Sequence, residues 1–390
     1  MKNIVICDDE ADVTREWKAK LEGVDQLKHR FNFLALTMSQ LKATIEELEG
    51  RRAAARQSAS HTSTATEVDD CALLVVDYDL LNAKTGGFVT GENVSYLARC
   101  YSGCGVILGL NQFYRDNVFE LDLHSRPGSF ADVNLSDKQL TVEGLWSADF
   151  KQGTFRPWQW PIVPDLSELF EKRVESLKGN LEVPITRFFD FPDTVFDFLD
   201  RETQAFISPD AKDIRSVSFL DFVRQSGQGV RGKDEQRNEH QIARIAAARV
   251  NVWLERMILP AQSVLVDLPH LIERVPSIIG GEGAIAKQAS WVTFDPSPLT
   301  TISRHAFARP EWLSRSAWWW PMIESAEEQP ELAAPWNYPG LSVAFCEDTS
   351  DFRARDQTHP FATAFNSPFA RRYVAKLADV IYRPQVRLAD

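Results

Sequence analysis

The first 138 residues alternate between short apolar runs and longer amphipathic segments. Each apolar run has the length of a β-strand, and residues 71–76 (CALLVV) are apolar throughout, as is typical of a strand buried on both faces. In the longer segments apolar residues recur every three or four positions, which predicts helices. The predicted strands are residues 3–7, 31–36, 71–76, 105–110 and 130–135, and the predicted helices are residues 12–23, 39–56, 92–100 and 114–121. Strands that alternate with helices predict a parallel sheet joined by right-handed crossovers.

Two segments differ from this pattern. Residues 57–67 (QSASHTSTATE) are polar and aperiodic, which indicates a flexible insertion. Residues 139–180 are rich in tryptophan and proline, and we interpret them as a connector that packs across a domain boundary with Trp158 and Trp160 as anchors. The end of this connector, residues 165–178, has the apolar spacing of a helix.

From about residue 181 the composition shifts to aromatic-rich helices and long loops. The clearest pattern predicts one long helix over residues 235–259, which Pro260 ends. Residues 368–384 are predicted to form a terminal amphipathic helix, and the tryptophans of residues 312–323 are predicted to lie in the core. The chain therefore divides into an α/β domain at residues 1–138, the connector at 139–180, and a mostly helical α+β domain at 181–390.

Composition narrows the expected partners and the expected cellular location of the protein. A net charge of -12 disfavours nucleic acid as a partner, because phosphate backbones require a basic surface. The five cysteines lie mostly in apolar surroundings, which is typical of reduced thiols inside cells. There is no apolar run of about 18 residues that would predict a membrane span, and the first residues turn acidic at Asp8, unlike a signal peptide. We therefore expect a cytoplasmic protein without a membrane segment.

Acidic residues follow two of the predicted strands. Asp8 and Asp9 come directly after the first strand, and Asp77 comes directly after the third. Sites in parallel sheets gather at the carboxyl ends of the strands, so these three carboxylates are expected to converge. Converging carboxylates suit a hard divalent cation such as Mg2+. The alternative is that Asp8 and Asp9 only cap the first helix and that Asp77 is an ordinary loop residue.

The same segments carry a resemblance to a known family. They are IVICDDE (4–10), LLVVDYDLL (73–81), GENVSYLAR (91–99), GVILGL (105–110) and FADVNLSDK (130–138). Together they resemble the receiver domain of bacterial two-component response regulators, over about a third of the chain. The resemblance implies a flavodoxin-like fold built on a parallel five-stranded sheet. It also implies that Asp77 accepts a phosphoryl group from a histidine kinase, that Asp8 and Asp9 help to hold Mg2+, and that the backbone carbonyl of Asp79 is a further ligand.

Two positions depart from the receiver pattern. Receivers usually carry a serine or threonine after the fourth strand, where this chain has Leu110 and then Asn111, whose amide can donate to a phosphoryl group. Receivers also carry a lysine after the fifth strand, where this chain has Asp137, with Lys138 one residue later. If the strand ends at Ser136, Lys138 can still reach the site.

The combined prediction is a response-regulator-like signalling protein whose receiver controls the C-terminal domain through protein contacts. The two departures from the receiver pattern also fit an alternative, a degenerate receiver. Such a module would serve dimerisation or docking, and modules of this kind are associated with bacterial stress and phage-defence systems. In that case Mg2+ binding would survive without phosphoryl transfer.

A further alternative is a hydrolytic or nucleotide-handling enzyme in the C-terminal domain. Its candidate residues are His240, His305, Glu347 and Asp348. The acids of residues 344–356 equally suit ion pairs with Arg353 and Arg355. No serine-hydrolase, metalloprotease or kinase motif is present in the sequence, so self-phosphorylation in the receiver is the most catalysis we expect.

Two weaker patterns are interpreted as structural. Cys100 and Cys104 have a spacing that suits a metal, but the sequence offers no second ligand pair at zinc spacing. The glycines of residues 281–283 (GEG) lack the lysine and hydroxyl residue of a phosphate-binding loop, and they are interpreted as a turn.

Overall fold

The computed structural model describes most of the chain. The described residues are 2–57, 62–80, 89–111, 117–119, 128–147, 162–208, 213–225, 238–275, 300–325, 343–361, 372–375 and 380–382. Trp158, Trp160 and the GEG sequence at 281–283 lie outside them. None of the helices in the described ranges combines the length and the apolar character of a membrane span.

A five-stranded, entirely parallel sheet is the centre of the N-terminal part. Its strands are β1 (Lys2–Cys7), β2 (Phe31–Ala35), β3 (Cys71–Asp77), β4 (Val106–Asn111) and β5 (Val133–Ser136). They are arranged in the order β2-β1-β3-β4-β5, and every neighbouring pair is parallel. The predicted α/β architecture is therefore confirmed, with β3 buried along its whole length as its sequence predicted.

Helices cover both faces of this sheet. They are α1 (Ala11–Glu22), α2 (Asp25–Lys28), α3 (Met38–Gln57) and α4 (Gly91–Tyr101). Neighbouring residues of a strand point to opposite faces, so Ile4 of β1 shares an apolar cluster with Trp17 of α1. Val5 of β1 instead shares a cluster with Leu41 of α3 and Val94 of α4.

The described end of the predicted flexible insertion is held against α3. The backbone N–H of Thr64 donates to Glu47 over 3.0 Å, and Arg51 donates to the carbonyl of Thr64 over 2.5 Å. Residues 58–61 lie outside the described part. Local composition indicated a loop, but it carried no signal for these tertiary hydrogen bonds.

The described remainder of the chain contains mainly short helices, two small sheets and one strand of a third. Its α-helices are α5 (Val163–Ser176), α6 (Ile185–Phe188), α7 (Arg201–Ile207), α8 (Phe219–Gln225), α9 (Glu239–Trp253), α10 (Leu268–Arg274), α11 (Thr300–Ser303) and α12 (Trp320–Glu324). Its 3-10 helices are Asp137–Thr141, Glu143–Leu145, Asp193–Phe198, Ile214–Ser216, Leu259–Ala261, Pro310–Trp312 and Arg355–Gln357. A π-helical turn at Leu254–Ile258 continues α9, so the predicted long helix is confirmed over most of its length.

The two small sheets lie towards the C-terminus. β6 (Leu265–Asp267) pairs in antiparallel fashion with β7 (Ala317–Trp319). A four-stranded sheet has the order β9-β8-β11-β10, and it is formed by β8 (Val343–Cys346), β9 (Asp351–Ala354), β10 (His359–Phe361) and β11 (Arg372–Val374).

Two predicted helices are wrong where the structure describes them. Within the predicted helix 114–121, Asn117–Phe119 is a short strand that pairs in parallel with Val380–Tyr382. The segment Val380–Tyr382 belongs to the predicted terminal helix 368–384, which also contributes β11. Pairing between segments that are distant in the sequence overrides a local helical pattern, especially where β-branched and aromatic residues favour a strand.

One apolar core extends across both halves of the chain. It includes Leu74 of β3, Phe170 of α5, Trp253 of α9 and Trp319 of β7. The four tryptophans of residues 312–323 are buried, which confirms their predicted place in the core. The C-terminal part therefore packs directly on the α/β part. The domain boundaries themselves stay a prediction.

Candidate functional site

The three predicted carboxylates meet at the carboxyl edge of the sheet. Asp8 and Asp9 follow β1, Asp77 is the last residue of β3, and these two strands are neighbours. One carboxylate oxygen from each of the three lies within 4.8 Å of the other two. Asp8 is 2 % exposed and Asp77 is 0 % exposed, whereas Asp9 is only partly buried. We call this group the acidic edge.

The hydrogen bonds of Asp8 argue against a role limited to helix capping. Its Oδ1 accepts the backbone N–H of Glu10 over 2.6 Å, but Glu10 precedes α1, and α1 has no side-chain cap at its N-terminus. Its Oδ2 is buried and accepts no hydrogen bond in the described part of the chain. A buried carboxylate oxygen without a donor is costly, and a cation bound there would remove that cost.

Burial and neighbouring negative charges raise the pKa values of Asp8 and Asp77. Burial raises the pKa of Asp8 to about 7, and the charges of Asp9, Glu10 and Asp79 add to the effect. Burial raises the pKa of Asp77 to about 8, again with the charges of Asp8 and Asp9 adding to it. These values describe a site that resists holding three negative charges by itself. A hard divalent cation with oxygen ligands would relieve that repulsion, so the residues present fit Mg2+.

The backbone after Asp77 is fixed by a close approach of α4. The N–H of Tyr78 donates to the carbonyl of Leu110 over 2.8 Å, and the N–H of Gly91 donates to the carbonyl of Tyr78 over 2.9 Å. A β-carbon on Gly91 would lie 2.1 Å from the carbonyl oxygen of Asp77. Only glycine therefore fits where α4 begins, and this fit sets the position of Asp77.

We expect Gly91→Ala to lower the free energy of unfolding by about 1–3 kcal/mol, because the added carbon meets rigid backbone. The substitution should also weaken Mg2+ binding, since either α4 or the end of β3 must move. Urea denaturation and a Mg2+ titration measure the two effects. Gly128→Ala is the matched control, because a β-carbon there meets nothing within 4 Å and should change the stability very little. Equal stabilities of the two variants would contradict this account of Gly91.

Two further residues, Asp79 and Asn111, were predicted at the acidic edge. The N–H of Asp79 donates to Asp77 Oδ2 over 3.2 Å, and Asp79 forms an isolated bridge with Thr90, so its backbone does lie beside the site. Asn111 ends β4 opposite Ser136 of β5. Only its backbone position is described, and the role of its amide stays a prediction.

The role predicted for Lys138 at the acidic edge stays a prediction. β5 does end at Ser136, as a reaching lysine requires, but a 3-10 helix begins at the next residue. The side chain of Ser136 caps this helix by accepting the N–H of Lys138 over 3.2 Å. Lys138 is exposed, and no described ion pair or hydrogen bond joins its ammonium to the three carboxylates. Asp137 instead lies 3.8 Å from Lys20 of α1.

A second cluster of charged residues lies in the C-terminal part and was not predicted as a unit. It consists of Asp267, His270, Arg315, Glu347 and Arg372, all of them buried. His270 lies between two carboxylates, with Nδ1 bonded to Asp267 and Nε2 at 3.2 Å from Glu347. Arg315 lies 2.7 Å from Asp267 and 3.6 Å from Glu347, and Arg372 lies 3.5 Å from Glu347. We call these five residues the buried charge network.

Within this network, the neighbouring charges favour the charged forms of His270 and Glu347. Burial alone would lower the pKa of His270, but Asp267 and Glu347 raise it above its ordinary value. Burial opposes ionisation of Glu347, but the hydrogen bond from His270 and the charge of Arg315 hold its pKa below the ordinary value. The balance of opposite charges explains how so many ionised groups remain inside the core.

The structure corrects the predicted roles of several C-terminal residues. Glu347 pairs with Arg315 and Arg372, not with Arg353 or Arg355. The predicted pairing holds for Asp351, which lies 3.1 Å from Arg353.

The other C-terminal candidates have other hydrogen bonds or are exposed. Asp348 accepts the backbone N–H of Ala375 over 2.9 Å. His240 is exposed on α9, and His305 accepts a hydrogen bond from its neighbour Arg304.

The cysteines are not part of a metal site within the described residues. All five cysteines are buried and free of disulfides, as their apolar surroundings predicted. Within the described residues, the acidic edge is the only group of three or more side chains placed to hold a metal ion, so Cys100 and Cys104 gain no further ligands.

Comparison of the chain with protein-family models, with curated proteins and with solved structures finds no match. The function must therefore be argued from the two charged sites themselves.

Sequence reasoning found the acidic edge but missed most of the buried charge network. The acidic edge was predictable because parallel strands end at one edge of a sheet. The network brings together residues from Asp267 to Arg372 that share no spacing. One local signal was present, since Asp267 lies three residues before His270 and caps α10 through the N–H of His270.

Proposed function

We propose that the N-terminal part is a flavodoxin-like receiver module that binds Mg2+ at the acidic edge and accepts a phosphoryl group on Asp77. Its donor is the phosphorylated histidine of a kinase, and its state controls the C-terminal part through protein contacts. The single observation that carries the proposal is the convergence of Asp8, Asp9 and Asp77, with a buried oxygen of Asp8 that accepts no hydrogen bond from the described residues. The strand order 2-1-3-4-5 supports it, since this order is typical of flavodoxin-like folds.

The chemistry assigned to the chain is simple. A carboxylate oxygen of Asp77 attacks the phosphorus, the bond from phosphorus to the donor nitrogen breaks, and that nitrogen keeps the electron pair. When bound, Mg2+ supplies positive charge that neutralises the carboxylates and the phosphoryl oxygens. Asp8 and Asp9 would hold the cation, and the N–H of Asp79 keeps the carboxylate of Asp77 in position through its 3.2 Å hydrogen bond.

Treatment with acetyl phosphate and Mg2+, followed by intact mass measurement, tests the proposal. We expect the wild-type protein to gain one phosphoryl group and Asp77→Asn to gain none. Asp12→Asn, which removes an exposed carboxylate of α1, is the control and should be labelled like the wild type. Labelling of Asp77→Asn at the wild-type level would contradict the proposal.

A second candidate is a degenerate receiver that binds Mg2+ but serves only as a docking module. The exposed position of Lys138, in the first turn of the capped 3-10 helix, favours it. Mg2+ binding by the wild type without any labelling by acetyl phosphate would support this candidate over phosphoryl transfer.

A further inference from the structure

A buried arginine of α9 contacts the segment that precedes β5. Arg249 is 2 % exposed, and its Nη1 donates to the carbonyl of Ser129 over 2.6 Å. Its guanidinium lies over the ring of Phe130 at 4.6 Å and over the ring of Phe206 at 5.2 Å. Arg249 therefore joins α7 and α9 of the C-terminal part to two residues of the N-terminal part.

The same two residues are held from the other side by α4. The carboxylate of Glu92 accepts hydrogen bonds from the hydroxyl of Ser129 and from the N–H of Phe130, the latter over 3.2 Å. Glu92 lies in the first turn of α4, directly after Gly91. Gly91 lies against the carbonyl of Asp77. Glu92 is therefore the direct neighbour of the residue that contacts the acidic edge.

We propose that Glu92, Ser129, Phe130 and Arg249 couple the acidic edge to α9, so that filling the site changes the stability of α9 and of the turn that follows it. We call these four residues the α4–α9 link. The proposal rests on the proposed function, because it takes Mg2+ and a phosphoryl group as the ligands of the acidic edge. Together with the backbone of Gly91, the α4–α9 link forms an unbroken chain of contacts, which is one physical route by which two sites can influence each other.

The end of α9 extends this route towards the buried charge network. Arg256, in the π-helical turn, donates to the carbonyls of Ala131 and Asp132 over 3.1 and 2.9 Å. Its neighbour Glu255 accepts hydrogen bonds from the N–H and the hydroxyl of Ser314, the residue before Arg315. A shift of the segment before β5 therefore acts on the π-helical turn, a helix form that often occurs at functional sites.

A second arginine of α9 provides a matched comparison. Arg244 donates to the carbonyls of Gly103 and Cys104, which follow the far end of α4, and it pairs with Glu171 of α5 over 3.2 Å. This contact also joins α9 to the N-terminal part, but it does not involve the first turn of α4. Glu171→Gln therefore removes a carboxylate beside α9 without touching the α4–α9 link.

The test measures amide hydrogen exchange over residues 239–258 in the full chain, with and without Mg2+ and beryllium fluoride. In the wild type we expect the ligands to slow exchange there about 5-fold or more, as expected for ordinary coupling free energies. Glu92→Gln keeps the size of the side chain but has one acceptor oxygen, so it cannot accept from both Ser129 and Phe130, and it should lose most of this response. Glu171→Gln should keep the response of the wild type.

Calorimetric titration of the same proteins with Mg2+ distinguishes a failure of the coupling from a failure of the proposed function. If the wild type binds Mg2+ but exchange in α9 does not change, or if Glu92→Gln responds like the wild type, the coupling is refuted while the Mg2+ site stands. If the wild type binds no Mg2+, the proposed function fails and the coupling fails with it. Arg249→Lys is the second variant, and it should also respond less than Glu171→Gln.

Discussion

Arg315→Met is expected to lower the free energy of unfolding by about 3–5 kcal/mol, the cost of removing one partner from buried ion pairs. Arg315 faces both carboxylates of the buried charge network, at 2.7 Å from Asp267 and 3.6 Å from Glu347. Methionine has a similar length but no charge, so the two carboxylates would share only Arg372 and His270. Urea denaturation of both proteins measures the difference.

The matched control for this prediction is Arg353→Met. Arg353 pairs with Asp351 over 3.1 Å, but its side chain is partly exposed, so its loss should cost less than about 1 kcal/mol. A similar cost for the two variants would show that burial does not set the strength of these ion pairs. A cost below about 1 kcal/mol for Arg315→Met would contradict the charge balance described for the network.

Asp8→Asn is expected to have opposite effects with and without Mg2+. Without Mg2+ at pH 8 the variant should melt several degrees above the wild type, because it removes a buried charge that neighbouring carboxylates repel. Its affinity for Mg2+ should fall by at least about 10–100-fold, since even residues that only orient a metal ligand have effects of that size. Thermal melting with increasing Mg2+ measures both effects.

The pH dependence of this effect has a definite sign. The pKa of Asp8 is raised to about 7 and that of Asp77 to about 8. A raised pKa contributes stability that is fully present below the pKa of the unfolded chain and is lost as the pH rises through the folded value. The advantage of Asp8→Asn over the wild type should therefore be small at pH 5 and largest at pH 8. Asp12→Asn should show no such pH-dependent difference, and the same advantage at both pH values would contradict the account.

The α/β part could be predicted because its signals are local. The run of residues 71–76 is apolar at every position, which distinguishes a central parallel strand from a surface element. Once that strand and β1 are placed side by side, the positions of Asp8 and Asp77 follow from where each strand ends. The candidate metal site therefore required no knowledge of side-chain packing.

The C-terminal part could not be predicted to the same extent because its contacts are long-range. The pairing of Asn117–Phe119 with Val380–Tyr382 joins segments that are far apart in the sequence. In both segments a helical spacing competes with β-branched and aromatic residues that favour a strand, so the local pattern does not decide between them. The 3-10 helix that contains Lys138 was also not predicted. The capping box of Ser136 and Gln139 begins this helix directly after β5.

Calorimetric titration of Mg2+ into the wild-type protein and into Asp77→Asn at pH 8 tests the central claim most directly. The account predicts one Mg2+ bound per wild-type chain, and binding that is lost or strongly weakened when Asp77 loses its charge. Equal binding by the two proteins would place the cation elsewhere. Absence of binding to the wild type would contradict the assignment of the acidic edge as a metal site.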